Sequence, residues 1–75
     1  MNERVYTIQF KYDGKDYSIN MLSHLDYSKG VGSDELVILD TVRYYLEQEN
    51  LYKENIAAEN IRLFGKGGEL IFCLK

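Results

Sequence analysis

The alternation of apolar and polar residues predicts a β-hairpin at the start of the chain. Residues 5–12 and 15–22 alternate in this way on either side of Asp13-Gly14. Because Asp-Gly readily adopts the positive φ angles of a two-residue turn, the two runs fold back on each other in one register. A slip by one residue would exchange the two faces. The apolar face pairs Phe10 with Tyr17, Ile8 with Ile19 and Tyr6 with Met21, and the polar face pairs Lys11 with Asp16, Gln9 with Ser18 and Thr7 with Asn20.

The middle of the chain has helical periodicity. After the polar segment 23–32, Ser33 is the predicted N-cap of a helix over about Asp34–Leu51. Residues 53–59 fit a last helical turn, a short second helix or a connector. The predicted apolar stripe consists of Ile38, Leu39, Val42, Tyr45 and Leu46, widened by Val37 and Tyr44, and the opposite face carries Asp40, Arg43, Glu47 and Asn50.

The C-terminal part predicts a second hairpin. Asn60–Phe64 and Glu69–Leu74 flank the glycine-rich turn 65–68. Strict alternation places Ile61, Leu63, Leu70, Phe72 and Leu74 on one face, and Arg62, Phe64, Ile71 and Cys73 on the other.

Two hairpins around one amphipathic helix predict an α+β fold, a ββαββ two-layer sandwich. The last strand is apolar on both faces, which favours a central position. The predicted four-stranded mixed sheet therefore has the order 2-1-4-3, with the first and last strands parallel. In element order and size this resembles the β-grasp group, although no motif of a member family is present. The predicted core contains Tyr6, Ile8, Phe10, Ile19, Ile38, Val42, Leu46, Leu63, Leu70 and Phe72.

Length and charge narrow the class of protein. Seventy-five residues fit a single domain, 1–75, and the net charge of −3 argues against a dedicated nucleic-acid binder. Cys73 is the single cysteine, so no internal disulfide can form. Because the sequence also shows no apolar leader and no membrane-spanning run, the expected location is the cytoplasm.

Residues capable of catalysis or metal binding are sparse. His24 is the only histidine, and Asp26 is its only nearby acidic neighbour in the sequence. The segments 29–34 and 65–68 combine glycine with lysine but lack the spacing of a phosphate-binding loop. We therefore expect no catalytic residue, no metal site and no cofactor, and we expect that the protein is not an enzyme.

Strand alternation also predicts a contact surface. If the helix covers one face of the sheet, Val5, Phe64, Ile71 and Cys73 lie on the other face beside Arg62. Such apolar patches mark protein interfaces, unless residues 53–59 or the termini fold over them. The partner would be another protein or a second copy in a homodimer. A second candidate is the loop 23–32, in which His24, Tyr27 and Lys29 are potential contact residues.

These features predict a small cytoplasmic protein-interaction module, a regulator or inhibitor that binds a partner protein surface. One alternative is a nucleic-acid-associated protein that uses Lys11, Lys29, Arg62 and Lys66, although the net charge argues against it. Another is an acidic inhibitor that mimics DNA, of the kind that phages encode. Residues 34–59 support that alternative with seven acidic and two basic residues, a charge density well below that of DNA.

Overall fold

A computed structural model of the protein describes residues 3–74 and shows an α+β fold, a four-stranded antiparallel sheet with one helix. The predicted ββαββ element order is confirmed. The elements are β1 (Arg4–Tyr12), β2 (Lys15–Ser23), α1 (Glu35–Gln48), β3 (Glu59–Phe64) and β4 (Leu70–Leu74).

The first hairpin has the register that the sequence predicts. Asp13 and Gly14 both have positive φ angles, 51° and 78°. All the β1–β2 partners follow from this turn, from Tyr12 opposite Lys15 to Arg4 opposite Ser23. The turn therefore fixes which side chains of both strands face the helix.

The strand order differs from the prediction. The sheet order is β2-β1-β3-β4, and β1 pairs antiparallel with β3. The predicted order 2-1-4-3, with β1 and β4 parallel, is therefore wrong. The physical reason is burial: β3 places Ile61 and Leu63 in the core, whereas Leu70 in β4 is 57% exposed. The sheet lacks the parallel pair on which the comparison with the β-grasp group was based, so that comparison is not supported.

Two irregularities in β3 and β4 modify the alternation. Between the pairs Gln9–Arg62 and Lys11–Glu59, β3 contains one residue more than β1, and Asn60 there has a φ of 52°. In the β3–β4 pairing, Leu63 pairs with Phe72 and Phe64 pairs with Leu70, so the register shifts by one residue between these two pairs. Because Ile71 is the extra residue, Leu70 pairs with Phe64 rather than joining the core face.

Helix α1 is shorter than predicted at both ends. It begins at Glu35 with Asp34 as the N-cap, so the prediction of Ser33 at that position is wrong. The Asp34 carboxylate makes no capping bond and instead accepts a hydrogen bond from Tyr27. At the other end, Asn50 adopts a φ of 59°, and the amide of Leu51 donates to the carbonyl of Leu46. This Schellman-type ending stops the helix before Leu51.

Helix α1 packs on the face of the sheet that carries the even-numbered residues of β1. The ring of Tyr45 lies 6.5 Å from that of Phe10 and 6.3 Å from that of Tyr17.

Most of the predicted core is confirmed. Ile19 and Phe72 are only partly buried, and the assignment of Leu70 to the core is wrong because Leu70 is exposed. Val37 and Tyr44 are also exposed rather than part of the apolar stripe. Residues that join the core beyond the prediction are Tyr12, Met21, Tyr27, Val31 and Ile61.

Residues 53–58 form an irregular connector on the helix side of the sheet. Ile56 and Ala58 pack against the core, as does Tyr52 just before them. The connector therefore leaves the opposite face of the sheet free.

Candidate functional site

The face of the sheet that points away from α1, called here the open face, is built from rows of paired residues. In one row Asn20 pairs with Thr7, Thr7 with Phe64, and Phe64 with Leu70. The next row is Ser18, Gln9, Arg62 and Cys73. Beyond the first row, Val5 pairs with Leu22. The register thus brings side chains from all four strands together.

One half of the open face is apolar. Val5 is 39% exposed, Leu22 60% and Leu70 57%, and Phe64 is half-buried. These residues occupy two neighbouring rows, which also contain Thr7 and Asn20, and they are called here the apolar patch. Within residues 3–74, the connector and the helix lie on the other side of the sheet and do not cover it.

The other half of the open face is polar, and Arg62 lies at the border between the two halves. The guanidinium carbon of Arg62 lies 5.9 Å from the centre of the Phe64 ring, within the range of a cation–π contact. Gln9 and Ser18 lie in the same row as Arg62, and Lys11 pairs with Asp16 beyond them. An apolar patch with a polar border has the composition of a protein-binding surface.

The predicted interface residues do not all reach this surface. Val5, Phe64, Arg62 and Cys73 lie on the open face, and Arg62 and Cys73 are exposed. Ile71 is instead half-buried and packs against the core, because the register shift in β4 displaces it. Leu70 takes its place beside Phe64.

Sequence reasoning missed two members of the patch, Leu22 and Leu70. Leu22 could have been found, since the register of the first hairpin places it opposite Val5. Leu70 could not, because strict alternation assigns it to the core and only the irregularity at Ile71 moves it. Since Leu70 only takes the place of Ile71, the net apolar addition to the predicted surface is Leu22, opposite Val5.

The loop 23–32 divides into surface and core residues. His24 and Lys29 are exposed, and Nη1 of Arg4 donates a hydrogen bond to the His24 carbonyl oxygen over 2.9 Å. Tyr27 is only 3% exposed, and its ring centre lies 5.3 Å from that of Tyr6. The structure therefore places two of the three proposed contact residues at the surface and one in the core.

Tyr27 is held by hydrogen bonds at both ends. Its hydroxyl donates to Oδ2 of Asp34 over 3.0 Å, and its amide donates to the Tyr6 hydroxyl over 3.0 Å. Burial, followed by the hydrogen bond to Asp34, raises the pKa of Tyr27 above its usual value. Tyr27 thus fastens the loop to the core.

A cleft of about 360 Å³ lies between α1 and the connector. Its walls include Val42 and Ile61 from the core and Ile56 from the connector. The Arg43 guanidinium in the same cleft already pairs with Glu47 over 3.1 Å and lies 4.9 Å from the centre of the Tyr52 ring. The positively charged group of this cleft is therefore already engaged within the protein.

The outer surface of α1 carries a second, less continuous set of apolar residues. Leu36 is 69% exposed, Val37 46% and Tyr44 64%. The exposed Asp40 lies between Leu36 and Tyr44 on the same side of the helix. This set is therefore interrupted by charge, whereas the apolar patch of the open face contains none.

The basic residues of the alternative function, nucleic-acid binding, are spread over the molecule. Lys11 lies in β1, Lys29 in the loop before α1, Arg62 in β3 and Lys66 in the turn before β4, and all are exposed. Residues 3–74 contain no group of three or more His, Cys, Asp or Glu side chains placed to hold a metal ion. Within the same range, the one helix is too short and too polar to cross a membrane.

The chain matches no protein-family model, no curated protein and no solved structure in the comparisons made with it.

Proposed function

We propose that this protein is a small cytoplasmic protein-interaction module, a regulator or inhibitor that acts by occupying a surface of a partner protein. The observation that carries the proposal is the apolar patch of Val5, Leu22, Phe64 and Leu70 on the open face. Three of these four side chains are more than one-third exposed. Contiguous apolar surface of this kind marks interaction sites in soluble proteins.

The energetics favour a protein as the partner. Each Å² of apolar surface removed from water contributes about 25 cal/mol, and aromatic residues are enriched in interface centres. Phe64 is the aromatic residue of the patch, and Arg62 beside it is of a type that is common at binding hot spots. Both side chains lie on a central strand whose backbone is already ordered, so the loss of backbone conformational entropy on binding is small.

The arrangement also indicates the chemistry of the partner surface. An apolar projection would fit against Phe64 and Leu70, and an acidic or carbonyl group next to it would meet the guanidinium of Arg62. A nucleic acid fits this surface poorly, because Lys11 pairs across the strands with Asp16 and the patch itself is uncharged.

The proposal is tested by capture from a lysate of the native organism with immobilised protein, followed by quantitative mass spectrometry. Phe64→Asp introduces a charge into the centre of the patch, whereas Tyr44→Asp introduces the same charge at the 64% exposed tyrosine on the helix. We expect Phe64→Asp to lose the partner and Tyr44→Asp to retain it, with both variants folded by circular dichroism.

Two results would contradict the proposal. If Tyr44→Asp loses the partner and Phe64→Asp retains it, the helix carries the interaction. If the retained material is nucleic acid whose binding weakens steeply with salt, the protein belongs to the alternative class.

A further inference from the structure

The start of β1 borders a gap in the sheet. β3 ends at Phe64, which pairs with Thr7, so within residues 3–74 the segment 4–6 pairs with β2 on one side and with no strand on the other. The chain turns away at Gly65, whose carbonyl oxygen accepts a hydrogen bond from the amide of Gly68. The space left between residues 3–6 and 65–71, called here the gap, is a cavity of about 330 Å³. This volume lies in the range of ligand sites.

The backbone of Val5 points into the gap. In a two-residue hairpin the residues next to the turn form a hydrogen-bonded pair, and such pairs alternate along the two strands. Tyr12 and Lys15 are that closing pair, so Tyr6 and Arg4 also bond to β2, whereas the N–H and C=O groups of Val5 face the other way. Among the described residues, neither group has a hydrogen-bond partner. Val5 therefore offers one donor and one acceptor to a further extended segment.

The two faces of the gap differ in chemistry. On the open face Val5 lies beside the apolar patch, and on the helix side Tyr6, Asp26 and Ser28 form part of the wall. A residue that pairs directly with Val5 places its side chain on the open face, because opposite residues share a face. The next residues along an extended segment point to the other face, on which Asp26 lies. The gap therefore suits a segment with an apolar residue between polar ones.

The charges around the gap favour a basic occupant. The charged residues that line it are Glu3, Asp26, Glu69, Arg4 and Lys66. Arg4 is already engaged, because its Nη1 donates to the carbonyl oxygen of His24 over 2.9 Å. Within residues 3–74, none of the three carboxylates takes part in an ion pair. The amide of Ser28 donates to Oδ1 of Asp26 over 2.9 Å and lowers the pKa of Asp26, so this carboxylate is charged at neutral pH.

We propose that the gap binds an extended segment of the partner protein in which an apolar residue lies between basic residues. The apolar residue exchanges two backbone hydrogen bonds with Val5 in antiparallel pairing, which satisfies both groups with a single residue and so suits a short gap. Its side chain extends the apolar patch on the open face. A neighbouring lysine or arginine side chain lies on the helix side, where its charge is complementary to that of Asp26.

This inference rests on the proposed function and deepens it, because Val5 belongs to both the apolar patch and the gap. It gives the partner surface a direction. An acidic or carbonyl group lies at Arg62, an apolar group lies over Phe64, and a basic side chain lies at Asp26 beyond Val5.

Titration with short peptides, followed by heteronuclear NMR, tests the site without a captured partner. The probe is the acetylated and amidated peptide Thr-Lys-Val-Lys-Thr. We expect the amide signals of Val5, Asp26 and Lys66 to shift, and the amide of Val5 to exchange about tenfold more slowly at saturation. Thr-Glu-Val-Glu-Thr should bind about fivefold more weakly or worse, because its charges are reversed. Methylation of the valine nitrogen in the lysine peptide removes the donor to the Val5 carbonyl and should have a similar effect.

A charge variant of the protein tests the role of Asp26. Asp26→Asn removes the charge and keeps an oxygen that can accept the hydrogen bond from Ser28. It should weaken binding of the lysine peptide about two- to fivefold. Asp16→Asn makes the same change at the opposite end of the first hairpin, so it is the matched control and should leave the affinity unchanged.

Three results would overturn the inference. The first is the absence of shifts around Val5 up to the solubility limit of the lysine peptide. The second is equal binding of the N-methylated peptide, which would show that no backbone pairing takes place. The third is binding of the glutamate peptide as tight as that of the lysine peptide.

The peptide experiment and the capture experiment fail in different ways. If no peptide binds and Phe64→Asp still loses the partner, the gap is not a binding site and the proposed function stands. If the lysine peptide binds at Val5 and Phe64→Asp retains the partner, the gap is a peptide site and the proposed role of the apolar patch is wrong.

Discussion

The hydroxyl group of Tyr12 makes two hydrogen bonds to the backbone of Lys53, which lies 41 residues later in the chain. The amide of Lys53 donates to the hydroxyl over 2.6 Å, and the hydroxyl donates to the Lys53 carbonyl oxygen over 2.9 Å. Tyr12 is only 2% exposed. One side chain at the end of β1 therefore fixes the start of the connector and keeps it on the helix side of the sheet.

We expect Tyr12→Phe to destabilise the protein by about 1–3 kcal/mol, because it leaves the amide of Lys53 without this acceptor and removes one of the two hydrogen bonds that the Lys53 carbonyl accepts, the other coming from the amide of Ile56. Urea unfolding followed by circular dichroism measures the loss. Tyr44→Phe removes a hydroxyl from a tyrosine that is 64% exposed, so it should leave the free energy of unfolding unchanged. Equal effects of the two substitutions would show that the hydroxyl does not hold the connector.

Leu63 and Leu70 provide a matched pair for testing the sheet order and the irregularity in β4. Leu63 is fully buried and Leu70 is 57% exposed. Leu63→Ala should therefore cost about 2–5 kcal/mol, whereas Leu70→Ala should change the free energy of unfolding by less than about 0.5 kcal/mol. A large decrease in the free energy of unfolding from Leu70→Ala would show that Leu70 is part of the core, as strict alternation in β4 predicts.

The raised pKa of Tyr27 predicts a loss of stability at alkaline pH. An unfolded tyrosine titrates near pH 10, and the folded protein holds this proton more tightly because burial and Asp34 disfavour the phenolate. The stabilising contribution is therefore complete below about pH 10 and is lost as the pH rises through the folded-state pKa.

The measurement is the difference in free energy of unfolding between the wild type and Tyr27→Phe from pH 8 to pH 11.5. We expect a constant difference in favour of the wild type up to about pH 10 and a decrease above it. A difference that stays constant over the whole range would contradict the assignment of the raised pKa to Tyr27.

The sequence predicts the parts of this fold that depend on local patterns. The first hairpin follows from Asp13-Gly14, since one turn determines every pair along two strands. The existence of α1 follows from the spacing of Ile38, Val42 and Leu46. Both signals lie within a few residues of the structure that they specify.

The strand order and the membership of the apolar patch depend on features that alternation does not reveal. An apolar run such as Leu70–Leu74 fits a central strand by composition, yet the structure places it at the edge of the sheet. The extra residues at Asn60 and Ile71 change which side chains share a face. The end of α1 depends on the left-handed conformation of Asn50 and the hydrogen bonds of the Schellman-type ending, which helical periodicity alone does not reveal.

The most direct test of the open face compares two leucine substitutions on opposite sides of the molecule. Leu22, 60% exposed on the open face, and Leu36, 69% exposed on the helix, allow the same change to lysine at similar exposure. The measurement is the dissociation constant of each variant for the captured partner, determined by titration calorimetry. We predict that Leu22→Lys weakens binding about tenfold or more while Leu36→Lys leaves it unchanged. Unchanged binding by Leu22→Lys together with weakened binding by Leu36→Lys would contradict the account and assign the interaction to the helix.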